Sequence, residues 1–351
     1  MDKFYDIFSA PNFADFMIER NQNRTPPLGS VLFPARKQLG LDLSFIKGKN
    51  GAPRVLKASA FDANAPIRDR LGINAMQMEL PFFREKYIIK EKDRQQLLTL
   101  LAGNQTGLAQ QVAGYVFDDA MDLENGAQAS LERMRHQLLY SGKITFVDSE
   151  GASHVFDYGL DEAKQKVELT LQDMWSDPSS TPVTDIIKWR TQVRKNTGVA
   201  PTRGIMNSDT FAMIANNITI RKDINPLGAE NIILTDDDVL TYLSRKTGIT
   251  FAIYDDTFTA EDGTVNMYYP TGYVTLLPPG NLGYTVFGTT PEEADLMSGA
   301  PQANVSIINT GMALATYKQV HPVTVNTQLS MVSLPSFEQA DKIFIAKVAT
   351  V

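Results

Sequence analysis

The chain has 351 residues, of which 43% are hydrophobic and 21% are charged, and this composition predicts a folded globular protein large enough for two domains. Its formal net charge of −7 argues against a protein that grips nucleic acid over its whole surface, although it is compatible with one that only encloses nucleic acid. The absence of cysteine excludes disulfides and thiolate metal sites and is typical of folding in a reducing cytosol, and we expect neither a membrane span nor a secretory signal.

The first 40 residues carry more large apolar side chains than a free tail would. These are Phe4, Tyr5, Ile7, Phe8, Phe13, Phe16, Met17 and Ile18. A polar, proline-bearing stretch over Asn21–Pro27 follows them and is typical of a linker. The residues alone leave two interpretations open: an arm that lies on another surface, or a first helix that packs on the chain's own core.

Residues 41–77 predict an extended hairpin loop with a basic tip. Apolar and polar residues alternate over Leu41–Ile46, a glycine-bearing turn spans Lys47–Gly51, and a second extended run covers Arg54–Ala60. The basic side chains near the tip are Lys47, Lys49, Arg54 and Lys57. A solvated hairpin end is the commoner role for such a cluster, and the sharper interpretation is a projecting loop that docks on an acidic partner.

An extended segment over Met78–Ile89 and a short helix over Asp93–Ala102 lead into a much longer predicted helix, residues 106–142. Apolar residues recur there in steps of three and four, which keeps them on one stripe: Leu108, Val112, Val116, Ala120, Leu123, Ala127, Leu131, Met134 and Leu138. Charged residues are expected on the other faces: Asp118, Asp119, Asp122, Glu124, Glu132, Arg133 and Arg135. Such a helix would be about 50 Å long.

The charged and glycine positions of this helix suggest two roles. In a neighbouring copy of the chain, the acidic face around Asp118, Asp119 and Asp122 would offer the basic tip its partner. Gly126 is a hinge candidate because glycine costs about 1 kcal/mol relative to alanine inside a helix. The alternative is a pair of antiparallel helices broken near Gly126, but the apolar stripe keeps its phase across the glycine and favours one helix.

Beyond the long helix the pattern becomes α/β. Residues 143–147 and 154–158 predict a hairpin, Lys166–Asp173 predicts a strand, and Ser176–Pro182 resembles a domain boundary. The further predictions are helices over 183–196, 208–216 and 236–246, strands at 205–206, 249–254, 265–269 and 273–277, long loops over 278–310, and an extended run over 324–348 ending in a strand at 341–348. We therefore expect a domain inserted at 181–320 and flanked by pieces of another.

The sequence offers no recognisable catalytic constellation. His136, His154 and His321 are isolated and lack the spacing that directs two imidazoles at one metal, and His136 is expected at the surface. The acidic run at Thr235–Asp238 is better explained as a helix start than as a cation site. Trp175 and Trp189 are expected to pack in a core rather than stack on bases. We therefore expect no cofactor and no metal.

The order of the predicted parts resembles the HK97-like fold of tailed-bacteriophage major capsid proteins, and specifically the lambda-type capsid protein E family. The residues that carry the likeness are Leu28–Pro34, Gly40–Leu43, Ile46–Gly48, Pro81–Lys90 and Leu334–Ala346, which together span the chain from about residue 28 to its end. The resemblance implies an α+β fold with an N-terminal arm (1–40), an extended loop (41–77), a peripheral domain holding the long helix (78–180 and 321–351) and an axial domain (181–320).

The resemblance also implies a function. It predicts a structural subunit, not an enzyme, that forms the pentamers and hexamers of an icosahedral virion shell around double-stranded DNA, in which the long helix bends or straightens as a precursor shell expands. Implied partners are copies of the chain, a separate scaffolding protein, a portal and a decoration protein, with assembly in the host cytoplasm. The alternatives are an encapsulin-like compartment shell and a cytosolic α/β enzyme with its site in the 278–310 loops.

Overall fold

A computed structural model describes residues 9–21, 24–47, 74–102, 106–148, 150–226, 234–299 and 303–350. Its helices are α1 (Ala10–Asn21), α2 (Leu28–Leu32), α3 (Glu91–Ala102), α4 (Thr106–Ser141), α5 (Glu162–Gln165), α6 (Pro182–Thr197), α7 (Ser208–Ala215), α8 (Ile218–Ile224), α9 (Asp236–Thr247) and α10 (Pro291–Ser298). Short 3-10 turns cover Leu171–Asp173 and Ala340–Lys342.

The strands belong to two larger sheets and three two-stranded ones. They are β1 (Ala35–Lys37), β2 (Asp42–Lys47), β3 (Asn74–Glu79), β4 (Phe82–Ile89), β5 (Lys143–Val147), β6 (Ser153–Asp157), β7 (Lys166–Glu168), β8 (Arg203–Met206), β9 (Thr250–Ile253), β10 (Thr257–Thr259), β11 (Val265–Met267), β12 (Tyr273–Leu277), β13 (Thr285–Phe287), β14 (Asn304–Ile308), β15 (Met312–Gln319), β16 (Thr324–Pro335) and β17 (Phe344–Lys347). The two-stranded sheets are β2 with β3, β5 with β6 and β10 with β11.

The chain divides into two compact units, each built from separate stretches of sequence. The first unit takes residues 1–43, 77–132 and 284–336, and the second takes 44–76, 133–283 and 337–351. Helix α4 therefore contributes residues 106–132 to the first unit and 133–141 to the second. Each unit is therefore non-contiguous in sequence.

The first unit is organised around strand β16, every residue of which is buried. Its sheet runs β1-β13-β16-β15-β14, and β4 also pairs with β16 in antiparallel register from Val325 opposite Ile89 to Val332 opposite Phe82. Helix α1 lies against β14 and β15. Its buried Phe13 contacts the Phe117 ring of α4 at a centroid distance of 4.7 Å. The structure therefore favours the second interpretation of this segment, a helix packed on the chain's own core.

The second unit is a five-stranded sheet in the order β7-β17-β12-β8-β9. Helices α6 and α9 pack on it, and their apolar residues join one core with strands β12 and β17. Trp175 and Trp189 stack at a centroid distance of 5.8 Å, and Trp189 stacks on Phe344 at 5.5 Å. The prediction that both tryptophans are core residues is confirmed.

The 36-residue helix α4 confirms the longest predicted element to within a residue of its end. It continues unbroken through Gly114 and Gly126, so the alternative of two antiparallel helices is wrong. The strip of apolar residues explains why: Ala120, Leu123 and Leu131 are all buried in phase on the two sides of Gly126. Tertiary burial of that stripe outweighs the propensity cost of the glycines.

Other sequence-based predictions were wrong in part. Residues 278–310 were expected to be long loops, but β13, α10 and β14 form within them. The Thr290 side chain caps the start of α10. The backbone groups of β13 and β14 pair with those of β16 and β15. Strand β3 is the partner of β2, whereas the second hairpin strand expected at Arg54–Ala60 lies outside the described residues. The strand expected over 166–173 ends at Glu168. Among the described helices, none is long and apolar enough to cross a membrane.

The tryptophan stack provides a test of the core of the second unit. Trp189→Ala should lower the free energy of unfolding by about 3–5 kcal/mol, because Trp189 is 3% exposed and packs between two aromatic rings. Ile187→Ala on the same helix is the matched control, since Ile187 is 42% exposed and should change stability by only about 0.5 kcal/mol. Urea unfolding of both variants measures the difference, and equal losses would contradict the assigned core.

Candidate assembly surface

The structure describes one half of the predicted docking pair. Lys47 is the last residue of β2, and its side chain lies outside the described part of the chain, as do Lys49, Arg54 and Lys57. The acidic half lies on α4, where Asp118 and Asp122 are exposed and Asp119 is half-buried. The structure therefore defines the acidic surface and does not test its proposed basic partner.

The acidic surface is a cluster of carboxylates on about one turn of α4, which we call the acidic cluster and define as Asp118, Asp119 and Asp122. The Tyr87 hydroxyl of β4 donates to Asp122 Oδ2 at 2.8 Å. This hydrogen bond is the main reason why the pKa of Tyr87 is raised, followed by burial and by the surrounding carboxylates. The tyrosine fixes one carboxylate in place without neutralising its charge.

The surroundings of Asp119 disfavour the charged form of its carboxyl group. Burial, followed by the charges of Asp122 and Asp118, raises the pKa of the Asp119 carboxyl above its usual value. Within the described part of the chain, no ion pair joins Asp118 or Asp119 to a lysine or arginine. The cluster therefore has a surplus of negative charge within the described part of the chain.

The next turns of α4 have carboxylates too, and these accept hydrogen bonds from within the first unit. Glu124 accepts a hydrogen bond from Asn21 Nδ2 at 2.6 Å and from Asn309 Nδ2 at 2.5 Å, and it is 2% exposed. Glu132, also 2% exposed, accepts from the backbone N–H of Gly29 at 2.7 Å. These contacts tie α1, α2 and the β14–β15 turn to the long helix, so the two glutamates serve the fold of the first unit and not a neighbour.

The burial of these polar residues corrects the sequence-based placement. Glu124, Glu132 and Arg135 were expected on exposed faces but are 2–3% exposed. Helical periodicity identifies the apolar stripe but carries no information on which polar residues meet a partner buried beside it. The amides that hold Glu124 come from residues far away in sequence, Asn21 and Asn309, and nothing in the local pattern indicates them.

Gly126, the hinge candidate, lies in an open and exposed position. A Cβ atom built there would meet no atom within 4 Å, so no close approach of another segment requires a glycine. The Ser130 hydroxyl donates to the Gly126 carbonyl oxygen at 2.9 Å, within the same helix. Steric fit therefore does not explain the glycine, and its effect on the helix is its backbone freedom and lower helix propensity.

The histidines do not form a catalytic group. His136, expected at the surface, is 0% exposed and stacks on Tyr254 at a centroid distance of 4.4 Å and an interplanar angle of 9°, which corrects that prediction. The rings that cover the His136 imidazole, such as that of Tyr254, come from residues far away in the sequence, so the local pattern does not indicate its burial. His154 pairs with Asp148 at 2.8 Å on the exposed β5–β6 hairpin. Among the described residues, no group of three histidine, aspartate or glutamate side chains is placed to hold a metal ion.

This chain is similar in fold to several proteins of known structure. Among solved structures, it is similar to a protein assigned as a prophage capsid protein of E. coli CFT073, with a TM-score of 0.59, 14% identity, and coverage of 97% of this chain and 99% of the other. It is also similar to a phage-related protein of Bordetella bronchiseptica RB50, with a TM-score of 0.53, 12% identity and 97% coverage of both chains. The fold is that of the HK97-like capsid shell proteins.

The sequence comparison supports the same class of protein and identifies a family within it. The model of the family described as phage major capsid protein E matches residues 16–348, and the chain belongs to this family. No curated protein matches in the sequence comparison. The chain is thus a structural protein of a phage capsid, located in the virion, where copies of it form the shell.

The acidic cluster makes a testable prediction about pH. The folded state holds the Asp119 proton more tightly than the unfolded state, so this group lowers stability progressively as pH rises through its raised pKa. Asp119→Asn should therefore stabilise the unassembled chain at neutral pH by less than about 1 kcal/mol, because solvent screens the exposed cluster. The gain should vanish below the usual pKa of 3.8, where the carboxyl is protonated in both states.

Urea unfolding at several pH values measures this gain. Asp295→Asn, which removes a carboxylate from an exposed position of α10, is the control. A loss of stability for Asp119→Asn at neutral pH would show that the carboxylate is favourably paired in the folded chain.

Proposed function

We propose that this chain is the major subunit of an icosahedral head, in which it forms pentamers and hexamers around the double-stranded DNA of a tailed bacteriophage. The observation that carries the proposal is the family match, which spans residues 16–348 and so includes both compact units. Subunits that contact one another through unlike surfaces close into rings, and rings of five and six tile a closed shell. Its role is mechanical enclosure, without catalysis.

The proposed assignment of residues to structural segments follows the fold of the family. Residues 1–40 form an N-terminal segment whose helix α1 packs on the chain's own core. Residues 41–77 form the extended loop that lies over an adjacent subunit. Residues 78–180 with 321–351 form the peripheral domain, and residues 181–320 form the axial domain around the five-fold and six-fold centres. Separate scaffolding, portal and decoration proteins complete the particle, which assembles in the host cytoplasm.

The proposed subunit contact is electrostatic docking of the basic loop on the acidic cluster of a neighbour. The unneutralised carboxylates of Asp118 and Asp119, and the raised pKa of Asp119, support it from the acidic side. Lys47, Lys49, Arg54 and Lys57 supply the complementary charge from the sequence. Such complementarity governs orientation and the rate of encounter more than affinity.

Electron microscopy of the purified chain, expressed alone and with its scaffolding protein, tests the proposed function directly. Closed shells, or rings of five and six subunits, are the expected result. Persistent monomers or dimers under both conditions would contradict the proposal. No observation on the described residues favours an enzyme, and the 278–310 segment that would have held its site forms β13, α10 and β14 instead of open loops.

A charge swap tests the docking contact. Changing Lys47, Lys49, Arg54 and Lys57 together to glutamate should leave the chain folded but prevent shell formation, because like charges would then face each other across the contact. Changing Asp118, Asp119 and Asp122 to lysine in the same chain should restore assembly. Negative-stain particle counts measure both variants, and normal shells from the first variant would overturn the docking contact.

A glycine substitution tests the hinge. Gly126→Ala should stabilise the unassembled chain by about 1 kcal/mol, since the added Cβ meets open space and alanine favours the helix. If Gly126 is where α4 bends, shells should form but convert from the precursor to the expanded form more slowly. Gly114→Ala is the matched control, because a Cβ at Gly114 also meets no atom within 4 Å. Equal expansion rates for the two variants would remove the hinge role.

A further inference from the structure

The second unit places the C-terminal ends of two helices side by side. Strands β8 and β9 are parallel neighbours, with Arg203 opposite Thr250, and helices α6 and α9 each end a few residues before one of these strands. The two helices pack against each other and share one core. They therefore run parallel, and their last turns lie at the same edge of the sheet.

The last turn of each helix contains an arginine followed directly by a lysine. These are Arg194 and Lys195 on α6 and Arg245 and Lys246 on α9, and all four residues are exposed. The space beside Gly248, which follows α9, is occupied by the Arg190 guanidinium of α6, only 3.1 Å from where a Cβ would lie. The structure thus gathers cations from two separate helices onto one surface, which we call the basic edge and define as Arg190, Arg194, Lys195, Arg245 and Lys246.

Helix capping does not account for this charge. Gly198 and Gly248, both in the left-handed conformation, close the two helices by donating to the carbonyl oxygens of Arg194 and Ser244, each at 2.9 Å. The two helix dipoles together offer only about one negative charge. Positive charge on the basic edge therefore exceeds what the helix ends neutralise.

Ion pairing does not account for it either. Lys246 pairs with Asp223 at 2.8 Å. Within the described part of the chain, Arg194, Lys195 and Arg245 form no ion pair with an acidic side chain. The acids of α9, Asp236–Asp238, occupy the opposite end of that helix, about 10 to 15 Å away. The basic edge is thus a local positive surface on a chain whose net charge is −7.

We propose that the basic edge binds the phosphate backbone of double-stranded DNA. The proposal rests on the proposed function, because the enclosed genome would supply the duplex. Packed helices lie about 8–10 Å apart, so cations on both helix ends can reach phosphates of the same duplex, whose major groove is about 12 Å wide. Contacts to phosphates position a duplex but carry no sequence information, so we expect binding without sequence preference.

The chemistry of the surface favours DNA over another protein. A protein interface has an apolar centre, whereas protein–DNA contacts are more polar and strongly positive. Among the described residues of α6 and α9, the exposed large hydrophobic side chain is Ile187, two turns before Arg194. The basic edge itself exposes no such side chain. A duplex of regular charge is therefore a better match than the acidic cluster of a second copy.

The test is fluorescence anisotropy of a short labelled DNA duplex titrated with the full-length, unassembled chain over a series of salt concentrations. The slope of log affinity against log salt is about −0.9 per phosphate neutralised. The variant Arg194→Gln, Lys195→Gln and Arg245→Gln should therefore reduce the magnitude of the slope by about 2.7 relative to the unmodified chain. The matched control, Lys86→Gln, Lys90→Gln and Lys92→Gln, removes the same charge from exposed positions of the first unit and should keep the slope.

Electron microscopy of shells formed by the same variants separates this proposal from the proposed function. Normal shells with a reduced slope only in the basic-edge variant would support DNA binding. Equal slopes in both variants, or no duplex binding by the unmodified chain at low salt, would overturn it. An unchanged slope with failed assembly would show that the basic edge binds another copy, which overturns the DNA contact but leaves the shell function standing.

Discussion

The structure depends on how the polar side of one long helix is satisfied. Helix α4 buries an apolar stripe, and two of its carboxylates are buried with it, those of Glu124 and Glu132. Both accept hydrogen bonds from residues about 100 positions away, Asn21 and Gly29, so the N-terminal helices are held to the long helix by polar contacts as well as by the Phe13–Phe117 ring contact. Buried carboxylates without such donors would cost several kcal/mol each.

Other carboxylates of the same helix have no cationic partner in the described part of the chain. Asp118, Asp119 and Asp122 lie two to six residues before Glu124, yet Asp118 and Asp119 form no ion pair within the described part of the chain. A globular enzyme of this size could leave such a cluster solvated at little cost. In the docking contact that we propose, a neighbouring copy of the chain would neutralise this charge on assembly. The basic edge of the second unit has the opposite charge, and the helices that form it are capped by glycine N–H groups and not by its cations.

Much of the fold was predictable from the sequence because it depends on local periodicity. The extent of α4, the β5–β6 hairpin, and the helix start at Thr235 with its capping box all follow from spacing and capping residues. The family resemblance, carried by segments such as Leu334–Ala346, was confirmed by the match over residues 16–348. These features are encoded within windows of a few tens of residues.

The features that could not be predicted from the sequence depend on contacts between residues that are far apart in the chain. The burial of His136 needs Tyr254, and that of Glu124 needs Asn309, neither of which is signalled by the helix itself. The short strands β13 and β14 form because β16 and β15 pair with them, although their own segment is rich in proline and glycine. Of the candidate assembly site, the acidic residues were correctly placed on α4, while the docking loop lies outside the described residues.

We propose that the acidic cluster has no cationic partner in the described part of the chain because another copy of the chain supplies one on assembly. A cryo-electron microscopy reconstruction of shells assembled from the chain tests it most directly, by showing what covers Asp118, Asp119 and Asp122. The account predicts a lysine or arginine of an adjacent subunit within about 4 Å of these carboxylates. Shells in which the three carboxylates face solvent, with no neighbouring cation, would contradict it.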